Sequence, residues 1–250
     1  MLTEERHNLI LEFLEKKGIA KINELVEITN TSESTIRRDL TLLEKVNVLK
    51  RIHGGATLPK GRLTELSYQE KEVQSVNEKR SIARFAASLI EEGDSIYLDA
   101  GTSTFEMIQY IDKKNIIIVT NGLKHINTLV EQNINSYILG GKIKVTTKAV
   151  VGSDALKNLQ KFRFDKCFLG INGIHTECGY TTPDSEEAIL KENAMKHSKQ
   201  TFVLADESKF GEVSFVKVGD LNEAVIITNS RMEDYEDYSE KAIIKVVDNK

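Results

Sequence analysis

Asp99-Ala100-Gly101-Thr102-Ser103-Thr104 brings one carboxylate, one glycine and three consecutive hydroxyls into six residues. Set between the end of a strand and the start of a helix, such a run offers an anion free backbone N–H groups, the positive end of a helix dipole and hydroxyl donors. The plainer alternative is that Thr102 only caps the helix that follows. A second group of chemically useful residues runs from Ser34 and Thr35 to Arg37 and Arg38, ahead of Lys50-Arg51-Ile52-His53-Gly54-Gly55. Short polar and cationic side chains on one helix face, followed by a basic glycine turn, suit a phosphate-bearing polymer.

Catalytic patterns are weaker. Cys178 lies near His175 only along the chain, which is poor ground for a thiol–imidazole pair. The five histidines, His7, His53, His125, His175 and His197, show no i, i+4 pairing, so no metal site is expected. Neither Gly-x4-Gly-Lys-Ser/Thr nor Gly-x-Gly-x-x-Gly occurs, so no nucleotide cofactor is expected either.

The elements that must carry these residues follow from periodicity. Leu9, Ile10, Phe13 and Leu14 recur at helical spacing between Thr3 and Gly18, and Ile22, Leu25 and Val26 repeat the pattern. In the stretch 33–45, Ile36, Leu40 and Leu43 share one stripe while Ser34, Arg38, Thr41 and Lys45 fall opposite, with Arg37 on the flank. Asp39 lies beside the apolar stripe, a place for orienting the helix or a neighbouring arginine. Residues 46–52 read as a strand leading into the glycine turn. Three helices and a basic hairpin make a winged helix-turn-helix, in which the third helix enters the major groove.

Beyond residue 76 the pattern alternates. Helix-period segments at 79–91, 104–111, 123–131 and 185–197 separate β-rich runs at 95–98, 116–120, 136–139, 166–171, 201–205 and 224–228. This predicts an α/β sheet covered on both faces, with ligands at the carboxyl ends of its strands. Those ends are small and polar: Thr120-Asn121-Gly122, Gly140-Gly141, Gly170-Ile171-Asn172-Gly173 and Asp206-Glu207-Ser208-Lys209-Phe210-Gly211. The expected organisation is 1–57 winged helix, 58–75 linker, and 76–250 α/β domain for sensing and oligomerisation.

Composition sets the outer bounds. The 250 residues carry 34 Lys+Arg against 38 Asp+Glu and are 40% hydrophobic, an ordinary globular balance that argues against disorder. The first 60 residues hold ten basic and nine acidic side chains, and residues 33–60 hold six and three, so the acidic excess lies in the larger domain. No apolar run approaches the roughly 20 residues of a membrane helix, and the acidic start differs from a signal peptide. A cytoplasmic address without membrane contact is therefore expected. Cys167 and Cys178 have neither the number nor the spacing of a disulfide framework, and both thiols are expected to be reduced.

Arg6 with Ile10 and Leu14, then Ser32-x-x-Thr35-Ile36-Arg37-Arg38-Asp39-Leu40, Leu43 and Arg51-Ile52-His53-Gly54-Gly55-Ala56, resembles the DeoR family of bacterial transcription regulators. The likeness is specific over residues 1–57 and looser beyond. It implies a repressor of sugar-catabolism genes that binds double-stranded operator DNA and is controlled by a phosphorylated sugar, an inducer. Ser34, Thr35, Arg37 and Arg38 are then expected in the major groove, with Arg51 and His53 on phosphate. Residues 76–230 look like the family's sensor domain, similar in fold to ribose-5-phosphate isomerase and the CoA-transferase-like enzymes. In that comparison Gly101, Thr102, Ser103 and Thr104 take the phosphate, and Asp99 and Asn121 line the sugar site. Glu187 and Lys191 are remnants of an acid/base segment, and Asp206 and Lys209 reach the ligand.

Glu186 and Glu187 could still supply a base for isomerisation. Thr176-Glu177-Cys178-Gly179-Tyr180-Thr181-Thr182, however, replaces the glycine-rich approach that such enzymes place before theirs. No catalytic residue is therefore assigned, and binding without turnover is expected. Since one winged helix is too small for tight operator binding, a homo-oligomer, dimer or tetramer, is expected. An active sugar-phosphate isomerase, or a winged helix that binds an acidic protein, remain the alternatives.

Overall fold

Near the N-terminus the apolar spacing is realised as α1 (Thr3–Lys17), β1 (Ile19–Lys21), α2 (Ile22–Thr29), α3 (Glu33–Lys45), β2 (Lys50–Ile52) and β3 (Gly55–Thr57). The computed structural model describes residues 2–45, 48–52, 54–58, 61–230, 232 and 234–247. It divides into two units, Met1–Gly61 and Arg62–Lys250. His53, expected on the wing, and residues 46 and 47 of the expected strand lie outside the described residues.

In the first unit the three strands form an antiparallel sheet in the order β1-β3-β2. Gly54 turns the hairpin at φ 78°, a left-handed conformation that glycine adopts readily. Gly55 is dictated by the sheet, because a Cβ there would stand 2.0 Å from the Ala20 carbonyl oxygen. α3 buries Ile36, Leu40 and Leu43 in one cluster with Ile10, Leu14 and Leu25, as its stripe predicts.

Asp39 is buried in that stripe. Its carboxylate accepts from Arg6 Nε at 2.5 Å and from Arg6 Nη2 at 3.0 Å, and lies 3.1 Å from His7 Nε2. The arginine it orients is thus on α1, not on its own helix, and the pair docks the first helix on the third. Burial pushes the Asp39 carboxyl up, but the bonds from Arg6 and His7 outweigh it and hold it below its ordinary value.

The second unit continues through α4 (Tyr68–Glu72), α5 (Val76–Ser88), β4 (Ser95–Leu98), α6 (Thr102–Met107), β5 (Ile117–Thr120), α7 (Leu123–Glu131) and β6 (Asn135–Ile138). Next come β7 (Lys142–Lys144), β8 (Ala149–Val151), α8 (Ser153–Leu159), β9 (Phe164–Gly170), β10 (Gly173–His175) and β11 (Gly179–Thr182). α9 (Ser185–Lys196), β12 (Ser198–Leu204), β13 (Val216–Gly219), β14 (Val225–Thr228), α10 (Tyr235–Ser239) and β15 (Ile244–Val246) complete it. Seven strands form one parallel sheet in the order β15-β14-β12-β9-β4-β5-β6.

Strand side chains alternate between two cores. Tyr97, Cys167, Leu169, Val203 and Ile226 enter one, while Ile96, Leu98, Phe168, Phe202, Leu204 and Ile227 enter the other. The antiparallel sheet β10-β11-β13 and the hairpin β7-β8 lie outside the predicted alternation. Cys167 and Cys178 form no disulfide. Among the described residues no helix is long and apolar enough to cross a membrane.

The stretch expected to be a linker, 58–75, belongs to the second unit from Arg62 onward. The reason is packing: Tyr68 is buried and its backbone N–H donates to the Thr146 carbonyl at 2.9 Å.

Replacing Asp39 by alanine is expected to lower the opening free energy of α3 amides by about 1–3 kcal/mol, read by hydrogen exchange of the intact chain. Because the folded carboxyl titrates below its ordinary value of 3.8, its contribution is present in full above that pH and is lost as the pH falls through the lower folded value. Unchanged protection in the variant would remove the pair from the forces that hold the helices.

Candidate functional site

The order of the parallel sheet reverses between β4 and β9. From β4 the chain proceeds outward to β5 and β6, and from β9 it proceeds the other way to β12, β14 and β15. At such a point the crossovers diverge and leave a crevice beyond the carboxyl ends of the two central strands. A cavity of about 70 Å³ occupies this place. Asp99 and the Gly101-Thr102-Ser103 turn, which follow β4, line it together with Gly170 and Asn172, which end and follow β9.

Asp99 forms the joint between these strands. Its Oδ2 accepts from the Gly170 N–H at 3.1 Å and from the Nζ of Lys191 on α9. Both charged side chains are buried. Burial opposes the Lys191 charge, and Asp99 and Glu187 more than restore it, so its pKa is raised. Glu187 accepts from Thr147 Oγ1 at 2.6 Å and lies 3.3 Å from Lys144 Nζ. Burial pushes its carboxyl up, yet Lys191, Lys144 and Thr147 hold it below the ordinary range.

Cationic side chains stand among the acidic ones. Lys71, Lys79, Lys191 and Lys209 all line the cavity. Lys79 is buried, and its ammonium donates to the carbonyl oxygens of Lys71 and Gln74, the latter at 2.7 Å. Burial lowers its pKa to about 8, with Asp206 and Glu106 pulling up and Lys209 and Lys71 pulling down. Asp206 caps the short turn Glu207–Lys209 by accepting from the Ser208 N–H at 3.0 Å.

Of the residues expected at the ligand, Asp99, Gly101, Thr102, Ser103, Glu187, Lys191, Asp206 and Lys209 meet at this one cavity. Among the described residues the hydroxyls of Thr102 and Ser103 have no protein partner, and the first-turn N–H groups of α6 have no carbonyl in their own helix.

Thr104 and Asn121 are not in the lining. Thr104 Oγ1 lies 2.6 Å from the Asp99 carbonyl and 2.8 Å from that of Gly101, so its hydroxyl is spent on the turn itself. Asn121 accepts from the Ala100 N–H at 3.0 Å and donates to the Val150 carbonyl at 3.2 Å. Both brace the Gly101-Thr102-Ser103 turn from behind. His125 does the same, fully buried with Nε2 3.4 Å from Thr104 Oγ1 and its ring edge-on to Phe105. Burial pushes its pKa down to about 3. Gly122 makes room for the ring, because a Cβ there would lie 2.3 Å from it.

Tyr68, Lys71, Gln74, Lys79 and Thr147 line the cavity without having been singled out from the sequence. Three of them lie in the stretch assigned as linker. There the hydrophobic pattern lapses into the charged Glu70-Lys71-Glu72, which reads as a linker.

In the first unit Ser34, Arg37, Arg38 and Arg51 are exposed and Thr35 is half-buried. The α3 N-terminus is organised by Ser32, whose Oγ lies 3.0 Å from Ser34 Oγ and 2.9 Å from Thr35 Oγ1. Arg37 is bound along its own helix to Glu33, at 2.9 and 2.6 Å. Arg51 folds back on α3, donating to Thr41 Oγ1 at 2.9 Å. Arg38 has no hydrogen bond or ion pair among the described residues, so its full donor set is available to a phosphate or a base edge.

Residues 6–62 match the DeoR-like helix-turn-helix domain and residues 74–230 match the DeoR C terminal sensor domain. A DNA-binding module joined to a sensor of small molecules is a transcriptional regulator. The chain belongs to the DeoR family of such regulators. It is 50% identical over 249 residues, 99% of both chains, to the uncharacterized HTH-type transcriptional regulator FruR of Bacillus subtilis. With the lactose phosphotransferase system repressor of Staphylococcus epidermidis it shares 36% identity over 235 residues, 92% of this chain and 93% of the relative. Among solved structures, ribose 5 phosphate isomerase A from Neisseria gonorrhoeae aligns at 17% identity and a TM-score of 0.40, covering 54% of this chain and 53% of that one.

Two expectations follow from the geometry. Arg38→Ala should weaken DNA binding by about 1–3 kcal/mol in fluorescence anisotropy, and Arg37→Ala by less, since Glu33 already holds that guanidinium. Equal losses would contradict the distinction between them. An anion placed beside Lys79 should raise its pKa, so binding of a phosphomonoester at about pH 8.5 should take up protons in calorimetry with buffers of unlike ionisation enthalpy. No proton uptake would mean that Lys79 does not face the anion.

Proposed function

We propose that the chain represses genes of sugar metabolism, and that a phosphorylated sugar in the cavity between β4 and β9 controls its hold on operator DNA. The observation that carries this reading is the meeting, in one cavity, of the unspent Thr102 and Ser103 hydroxyls with four lysines and the acceptors Asp99, Asn172 and Asp206. The donors suit a phosphate, and the acceptors suit the hydroxyls of a sugar. A relative that is itself named a phosphotransferase system repressor supports the same direction.

The ligand is bound and not converted. An isomerase needs a carboxylate that takes a proton from carbon readily near neutral pH. Glu187 is a poor base, because Lys191, Lys144 and Thr147 stabilise its ionised form. We further propose that a homo-oligomer, dimer or tetramer, presents paired winged helices to repeated half-sites. Ser34, Thr35, Arg37 and Arg38 then read or position DNA in the major groove, and Arg51 and His53 contact phosphate. The phosphorylated sugar acts as an inducer, through a coupling of about 1–3 kcal/mol between the two sites.

Anisotropy of a labelled duplex from the DNA flanking the gene, titrated with protein and then with a panel of sugar phosphates, tests the whole reading. The label belongs on the DNA, since the chain has no tryptophan. Tight, salt-dependent binding reversed by one phosphorylated sugar is expected, and Thr102→Asp should abolish the reversal while leaving DNA affinity intact. DNA binding that no sugar phosphate alters would discard the effector. Isomerisation of the sugar phosphate by the purified protein would restore the enzyme.

A further inference from the structure

The cavity has a wall that comes from the chain leading out to the winged helix. Residues 62–75 precede α5 and continue, at Gly61, into the first unit. Within this segment Tyr68, Lys71 and Gln74 line the cavity, and α5 adds Lys79.

The segment is fastened at both ends. At its start the Arg62 carbonyl accepts from the Phe215 N–H at 3.1 Å. Glu65 then takes an ion pair from Lys144 and another, at 3.4 Å, from Lys71. Ser67 caps α4, accepting from the Glu70 N–H at 3.3 Å. At the far end Lys79 is the side chain that fastens: its ammonium donates to the Gln74 carbonyl and to that of Lys71, which also accepts from the Gln74 N–H at 3.3 Å. An ammonium has three N–H donors, and these two carbonyls take two of them.

A second observation points independently to a ligand. Tyr68 is buried, its hydroxyl is buried without a hydrogen-bond partner, and the residue lines the same cavity. A buried phenol with no partner costs about 1–3 kcal/mol, a cost that a bound polar group would relieve.

We propose that Lys79, with Lys71 and the Tyr68 hydroxyl, forms an anion-binding wall of the effector site, and that occupancy of the site tightens residues 65–75, the segment through which the sensor is joined to the DNA-binding unit. The inference rests on the reading of this cavity as a phosphate-binding site. A bound anion stabilises the ammonium of Lys79, and that ammonium ties the end of α4 to α5. Ligand and segment therefore share one cation, and each strengthens the other's hold on it. Thr102 and Ser103 would grip the same anion from the α6 side, on a turn braced by Thr104, Asn121 and His125.

The test is hydrogen–deuterium exchange of the full-length protein with and without saturating inorganic phosphate, following peptides from 65–75 and from 99–107. Protection of both peptides in the native protein is expected. In Lys79→Gln, whose amide can still donate to both carbonyls but carries no charge, phosphate affinity should fall roughly tenfold or more. At phosphate concentrations that again saturate, the gain over 99–107 should persist while that over 65–75 is lost. Lys79→Arg should restore the gain over 65–75, which separates loss of charge from misfolding. Protection of 99–107 with no change over 65–75 in the native protein would overturn this inference and leave the phosphate site standing. No protection of either peptide would overturn both.

Discussion

The carboxylate of Asp99 holds the large unit together where it is most open. Strand order reverses between β4 and β9, so the crossovers diverge and leave a crevice there, and something must extend the joint past the last paired residues of the two strands' backbone ladder. Asp99 does so by accepting from the Gly170 N–H and the Lys191 ammonium, which joins the end of β4, the end of β9 and α9. Two charges buried this deeply are tolerated only because each completes the other. The Gly101-Thr102-Ser103 turn begins two residues later, so its position in space is inherited from that carboxylate.

Arg6 and Asp39 do comparable work in the small unit. The pair fixes α1 on α3 and thereby sets the face from which Arg38 projects. The two units use charge in opposite ways. In the large one the cations around the cavity are buried, as Lys79 and Lys191, or half-buried, as Lys71 and Lys209, and are matched to acids or carbonyls. On α3 of the small one Arg38 is exposed and, among the described residues, unmatched, the arrangement that attracts a polyanion.

Much of this was legible in the residues. A helix of thirteen residues leaves a full apolar stripe, so α3 and its outward arginines could be placed from spacing alone. The Asp99 to Thr104 run was legible as the turn between a strand and a helix, and the structure places it from the end of β4 into the first turn of α6. α4 was not legible, since five residues span little more than one turn and leave no period to detect. Lys71 fell in the stretch expected to be a linker and Lys79 at the start of a helix-period segment; lysine is almost always solvated, and nothing in the spacing announces carbonyls and acids brought in from elsewhere. Thr104 and Asn121 erred in the other direction. Polar residues that end a strand look the same whether they face the ligand or brace the backbone behind it, and only the hydrogen bonds made by Thr104 Oγ1 and the Asn121 amide separate the two. The strands of β10-β11-β13 run to four residues at most, too few for alternation to stand out.

The choice of histidine at position 125 has a consequence for signal quality. Its ring lies under Thr104 in complete isolation from solvent, and it stays neutral until the pH falls to about 3. Imidazole is ordinarily the group by which proteins register acidification, but here burial has removed that sensitivity. The brace behind the Gly101-Thr102-Ser103 turn therefore keeps one protonation state while the acidity around the molecule drifts, and proton dependence at the cavity falls to groups that line it, Lys79 among them.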